Sequence, residues 1–242
     1  MATQIVGGSG IGFWFGPYSV CGDFNAVSLD HSADILEDTT LCDDSRTRVA
    51  GLKNTTLAGE GYFDPADGGI DDIMYNQIHG SKWPVTVAPV ATTVGSLAYF
   101  FDCLTGMYSP SGSIGELFGF SVTGESTSPL VRGQVEYNDT ATFSVDSTGF
   151  QLGALSAGQT LYAAIHVLSV SGTSPTLDVI VQSDDNSGFT STTDQITFTQ
   201  ATGVTSQILS VDGAVTDDYW RFRLNIGGTS PSFNVVCVFG IV

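Results

Sequence analysis

Arg46-Thr-Arg-Val-Ala-Gly-Leu-Lys-Asn-Thr-Thr-Leu-Ala-Gly-Glu-Gly-Tyr-Phe-Asp64 is the stretch on which the reading of this chain turns. From Thr47 to Phe63 it reads as a long strand or a pair of strands, with Gly51, Gly59 and Gly61 marking bends or bulges. Upstream, Phe24, Ala26 and Ser28 alternate with Asn25, Val27 and Leu29, so Gly22–His31 has the period of a strand. Between the two lies Asp34–Asp44, where Glu37, Asp38, Asp43 and Asp44 surround Thr39-Thr40-Leu41-Cys42. A charge cluster of this kind reads as a solvated loop. Downstream, Asp64–Gly69 is a turn, and Ile70, Ile73, Met74 and Ile78 then share one helical face. Asp71 and Asp72 fall in the first helical turn, where the helix dipole favours acids, and Gly80 stops the helix. Trp83–Val90, Gly95–Tyr108 and Ile114–Glu125 follow as strands, which makes the first half an α+β unit.

Outward from this centre, residues 1–18 are Gly-rich and carry Phe13, Trp14, Phe15 and Tyr18, the composition of a flexible arm that docks on a neighbour or on the chain's own core. Residues 126–158 are rich in Ser, Thr, Asp and Gly and poor in long apolar runs, which sets a boundary near Gln134–Asp139. The expected division is therefore an arm (1–18), a first domain (19–135) and a C-terminal antiparallel β-sandwich (136–242). In the last of these, strands recur about every ten residues, and Trp220, Phe222, Leu224 and Ile226 alternate with Arg221, Arg223 and Asn225. A repeat also stands out: Ser171-Gly-Thr-Ser-Pro175 and Gly227-Gly-Thr-Ser-Pro231 each separate two strand-like runs. It reads first as two equivalent hairpins on opposite sheets, as in a jelly roll, and second as chance reuse of a good turn. The fold class expected is mainly β.

The chain has 242 residues, with 7 Lys and Arg against 25 Asp and Glu, for a net charge of −18. Nucleic acid held through its phosphates needs clustered cations, so that mode of binding is excluded. No run of apolar residues is long enough for a spanning helix, and the first ten residues lack a signal-peptide pattern, so membrane insertion is not expected and synthesis in a cytoplasm is. Cys21, Cys42, Cys103 and Cys237 lack metal-ligand spacing and read as free thiols, with pairing of Cys21 and Cys42 in an assembled particle left open. The histidines (His31, His79, His166) belong to no nucleophile or zinc pattern, so no catalytic, cofactor or metal residues are assigned. Asp184-Asp-Asn-Ser-Gly188 is an oxygen-rich turn, read first as a plain β-turn and second as an ion site.

The order of elements from Val20 to Ser126, with RVAGLKNTTLAGEGYFD at its centre, resembles the major tail (tail tube) proteins of long-tailed bacteriophages. Gly115-Glu-Leu-Phe-Gly-Phe-Ser-Val-Thr-Gly-Glu125 and Pro129-Leu-Val-Arg-Gly133 resemble the closing strand and exit of that domain. The resemblance implies a tail-tube-like β-sandwich with one flanking helix (Ile70, Ile73, Met74, Ile78) and a ring-stacking loop bearing Asp34, Glu37, Asp38, Asp43, Asp44 and Arg46. It further implies a virion protein that self-assembles into stacked, hexameric rings. Its partners would be a tape-measure protein and tail-end proteins, and DNA would pass through without specific binding. Other virion roles (baseplate, tail completion, head decoration) and a glycan-binding sandwich of the host-recognition apparatus are the alternatives. An acidic bore suits passage, because a basic one would grip a duplex that carries about one charge per 1.7 Å.

Overall fold

The computed structural model describes residues 10–78 and 80–242; positions 1–9 and His79 lie outside the described residues. The protein is mainly β. Its elements are β1 (Gly12–Phe15), β2 (Tyr18–Ser19), β3 (Phe24–Glu37), β4 (Arg48–Tyr62), α1 (Ile70–Gln77), β5 (Trp83–Ala88), β6 (Leu97–Ser111) and β7 (Gly119–Ser126). They continue with β8 (Val131–Ala141), β9 (Val145–Asp146), β10 (Phe150–Gln151), β11 (Thr160–Asp184), β12 (Thr193–Thr197), β13 (Thr205–Asp212) and β14 (Tyr219–Ile241). Two compact units result. A sandwich unit takes residues up to Cys21, Trp83–Phe101 and Val131–Val242, and a hairpin unit takes Gly22–Lys82 and Asp102–Leu130.

This division differs from the expected one in two places. The boundary expected at 135/136 falls inside β8, which pairs with β14 from Ala141↔Phe233 to Gln134↔Phe239. Its polar residues line one track of a strand whose Val131, Val135 and Ala141 are buried, so a Ser/Thr/Asp-rich stretch is core here rather than linker. The described part of the expected arm is also structured. β1 pairs with β5 from Gly12↔Ala88 to Phe15↔Val85, and Phe13, Trp14 and Phe15 are buried. Three large apolar side chains in a row gain about 1.5–3 kcal/mol each from burial, which outweighs the freedom of a Gly-rich segment.

β11 and β14 build the sandwich unit. They pair antiparallel from Leu161↔Ile241 to Asp184↔Tyr219. The two GTSP segments are therefore not the turns of separate hairpins. They face each other at one level of this ribbon (Ser171↔Ser232, Thr173↔Thr229, Thr176↔Gly227), where the register shifts. Gly172 and Gly228 have φ of 116° and 111°, Ser174 and Ser230 of 48° and 49°, so the two strands carry matching bulges. A bulge bends its strand and increases the local twist. Beyond this corner the ribbon folds over itself, and Phe222 and Phe239, seventeen positions apart on β14, stack with ring centroids 5.5 Å apart. One core holds Leu161, Ile165, Val179, Val181, Trp220, Phe222, Phe233 and Phe239 from both halves. A second core places Ala164, Val236 and Val238 against Trp14, Ala88, Phe100 and Val131. With cores on both faces, Val235 through Phe239 is an unbroken apolar run, as doubly covered strands are.

The hairpin unit is a four-stranded sheet in the order β3-β4-β7 and the second part of β6. α1 lies beside Gly106–Tyr108 of β6: the Tyr108 hydroxyl donates to Asp71 Oδ1 at 2.8 Å. The helix buries Ile70, Ile73, Met74 and Gln77, with Ile78 half-buried at its C-cap, the face read from the sequence.

Candidate assembly surface

β3 and β4 pair from Phe24↔Gly61 out to Glu37↔Arg48, and residues 30–37 and 48–50 are exposed on both faces. Beyond the His31↔Thr55 pair, whose Thr55 is buried, six residues of strand at about 3.3 Å each make a ribbon that stands roughly 20 Å clear of the buried part of its sheet. The segment read as an acidic loop is thus partly strand. Asp34 and Glu37 belong to β3, while Asp38, Asp43, Asp44 and Arg46 lie in the loop that closes the hairpin. The loop is held by its own polar groups. Thr47 N donates to Thr39 Oγ1 at 3.1 Å, Asp38 N donates to Thr47 O at 3.2 Å, and Asp43 Oδ2 accepts from Thr40 N at 2.6 Å and Thr40 Oγ1 at 3.0 Å. Arg46 and Glu37 approach to 3.9 Å, an exposed pair that contributes about 0–1 kcal/mol.

The ribbon carries apolar side chains with little cover: Ile35 is 73% and Leu52 83% exposed, and Leu41 at the tip is fully exposed. A two-stranded ribbon is marginal alone in water, which makes this one a candidate contact surface.

The register separates the two faces of the sheet. Asp30↔Thr56, Ser28↔Ala58 and Ala26↔Glu60 pair on one face, and Thr56↔Glu125, Ala58↔Thr123 and Glu60↔Ser121 extend it across β7 to Leu104, Met107 and Ser109 of β6. Asp30, Glu60 and Glu125 are exposed there, and residues 26–32, 54–62, 104–111 and 119–125 contain no Lys or Arg. Thr55, Leu57, Phe120, Val122 and Cys103 point the other way and are buried. Glu125 accepts from Asn54 Nδ2 at 2.7 Å and from Thr56 Oγ1 at 3.1 Å, so one acid of the bare face is held in place. The sequence marks each strand, but which acids share a face follows only from the register. β3, one lateral edge of this sheet, pairs with β4 alone among the described residues.

Tyr75, Asn76, Ile78, Gly106, Met107 and Tyr108 line a cleft of about 500 Å³ between α1 and β6. Burial, then the hydrogen bond to Asp71, pushes the Tyr108 hydroxyl pKa up.

The remaining polar candidates make hydrogen bonds within the fold. In Asp184–Gly188 the Asp184 carboxylate accepts from Ser191 N (2.7 Å) and Asn186 N (3.1 Å), and these bonds hold its pKa below the usual range. No group of three or more metal-ligating side chains occurs among the described residues. His166 is fully buried: its Nδ1 donates to Gly16 O at 2.6 Å and its Nε2 accepts from Thr86 Oγ1 at 2.8 Å. Burial lowers its pKa to about 4, so the imidazole is neutral and fastens the β1–β2 turn to β11. Cys21 and Cys42 are exposed and Cys103 and Cys237 buried, all four as free thiols, with Cys103 pushed up to about 12 mainly by burial. No helix of the described residues is long and apolar enough to cross a membrane.

No family model and no curated protein matches the chain. Several solved structures are similar to it. A protein of the native gene transfer agent virion has 15% identity and a TM-score of 0.44, covering 53% of this chain and 98% of its own. A chain of the sheath/tube terminator of the PVC extracellular contractile injection system has 15% identity and a TM-score of 0.45, covering 55% and 99%. The Dit hub protein of phage SPP1 has 12% identity and a TM-score of 0.40, covering 96% and 99%.

Proposed function

We propose that this chain is a structural subunit of a phage-like tail, and within it a tail tube subunit whose hairpin unit forms stacked rings. The observation that carries the proposal is the bare, cation-free sheet face bearing Asp30, Glu60 and Glu125. A face that lines a conduit for DNA must repel phosphate rather than bind it, and fixed acids without cations do so within a Debye length of roughly 8–10 Å. The open edge of β3 suits lateral addition of a neighbouring copy, which is how a heterologous interface closes into a ring. The β3–β4 ribbon, with Leu41 at its tip and Asp34, Glu37, Asp38, Asp43, Asp44 and Arg46 around it, suits the contact between successive rings. The tape-measure protein and tail-end proteins would meet the same tube, with the sandwich unit as an addition to the ring-forming unit. The role is structural rather than catalytic.

Electron microscopy of the purified protein over a concentration series, with mass photometry alongside, tests this. Hollow tubes or stacked six-fold rings are expected. A closed oligomer that never stacks would overturn the tube reading and favour a terminal tail component such as a hub. A monomer at every concentration, also after seeding with tail fragments, would overturn self-assembly altogether.

A further inference from the structure

Past Ala141 the chain does not leave the sheet. β9 and β10 continue along β14, with Val145↔Leu224, Asp146↔Arg223, Phe150↔Trp220 and Gln151↔Tyr219. Residues 145–151 form a strap over the half of β14 before the ribbon corner, whereas β8 runs along the half after it. Glu136 of β8 joins the two. Its Oε1 accepts from Ser147 Oγ at 2.6 Å and from Gly149 N at 2.9 Å, while Ser147 Oγ in turn accepts from Phe222 N at 2.9 Å. Gly149 can sit there because it has φ +79° and because an added Cβ would strike the Phe189 ring and Trp220 O. Glu136 is 1% exposed, and its Oε2 is buried without a hydrogen-bond partner.

We propose that Glu136 is a proton-gated clasp: as the neutral acid it holds the 145–151 strap across the two layers of the sandwich unit, and its ionisation loosens that strap. In the neutral acid Oε1 keeps its two donors and the proton sits on Oε2, whose hydroxyl lacks only one neutral hydrogen bond. A carboxylate would leave charge on the dry Oε2, and a buried charge without a partner is far more unfavourable than a missing neutral hydrogen bond. The two effects oppose each other. Burial raises the pKa, the Ser147 and Gly149 bonds lower it, and burial wins, leaving Glu136 at about 7. The other groups do not share the switch. Cys237 on β14 is raised well above the thiol range by burial and then by Glu136, so it stays neutral. Tyr137, next on β8, is raised mainly by burial, with Asp139 beside it. Asp146, the charge of the strap, pairs with Arg221 at 3.1 Å and Arg223 at 3.8 Å. An ionised Glu136 reaches water by displacing the strap whose Ser147 and Gly149 its carboxyl touches.

Amide hydrogen exchange of the full chain at pH 6.0 and 8.5, normalised to intrinsic rates, tests the clasp. Protection at Ser147, Gly149 and Phe222 should fall at least tenfold at the higher pH in the wild type and stay level in Glu136→Gln. Level protection in the wild type, or an equal fall in Glu136→Gln, would overturn the proposal. Should Glu136→Gln not fold, Ser147→Ala supplies the second arm. It removes a bond that favours the ionised form, so the pH at which protection is lost should move upward, and an unmoved midpoint would overturn the clasp.

Discussion

His166 and Glu136 are buried in the same unit with pKa values displaced in opposite directions, and their linkage to folding has opposite signs. The folded His166 titrates near 4 and the unfolded side chain near 6.5, so the stability it confers is present above 6.5 and is lost as pH falls toward 4. The folded Glu136 titrates near 7 and the unfolded side chain near 4.5, so its share is present below 4.5 and is lost as pH rises through 7. Each displacement corresponds to about 3 kcal/mol. Between pH 4.5 and 6.5 the two slopes nearly cancel, which hides both in the wild type. Urea midpoints from pH 4 to 8 should separate them. His166→Gln should lose stability steadily as pH rises, and Glu136→Gln should gain it up to about 6.5 and then level off. Parallel profiles for the two variants would contradict the burial on which both displacements rest.

At the level of elements, the paired bulges make the sandwich unit possible, and single glycines should reveal it. An added Cβ at Gly172 would lie 2.8 Å from Ser230 O, and one at Gly228 would lie 2.7 Å from Ser174 O, both at positive φ. Gly172→Ala and Gly228→Ala should each lose about 1–3 kcal/mol in denaturant titrations. Gly203→Ala, with open space around it, should stay within about 0.5 kcal/mol. These glycines also show where sequence reading stops. The alternation from Trp220 to Ile226, the helix face of Ile70, Ile73 and Met74 and the long strand after Arg48 are legible because burial imposes a period on them. Gly-Thr-Ser-Pro is ambiguous, since a glycine of positive φ beside Ser and Pro serves a turn and a bulge equally well, and only the pairing partner decides. Glu136 is hidden for a related reason. It sits in a strand whose Asn138, Asp139 and Thr140 look like a linker, and nothing local reveals the serine eleven positions later that meets its carboxyl. The acidic face is half legible: the acids are visible, but their common side depends on three registers.

For the whole molecule, a net charge of −18 opposes association of like copies, and exposed apolar groups on the β3–β4 ribbon favour it. Raising salt from 0.05 to 0.5 M shortens the reach of the repulsion, so assembly should begin at a concentration at least several-fold lower, as light scattering would record. Leu41→Ser with Leu52→Ser should abolish stacking while leaving the thermal midpoint within a few degrees, because both side chains are already in water in the single chain. Ribbon geometry has a further consequence, for the order of events during synthesis. β14 is the common neighbour of β8, β9, β10 and β11, yet it is made after all of them. A nascent chain that has emerged only as far as residue 218 has four strands waiting on an absent partner, with their edges open to any other chain on the same message. Such long-range pairing is intrinsically slow. The sandwich unit therefore cannot close until β14 has emerged, and the strands that are to flank it spend that interval as the most adhesive parts of the chain.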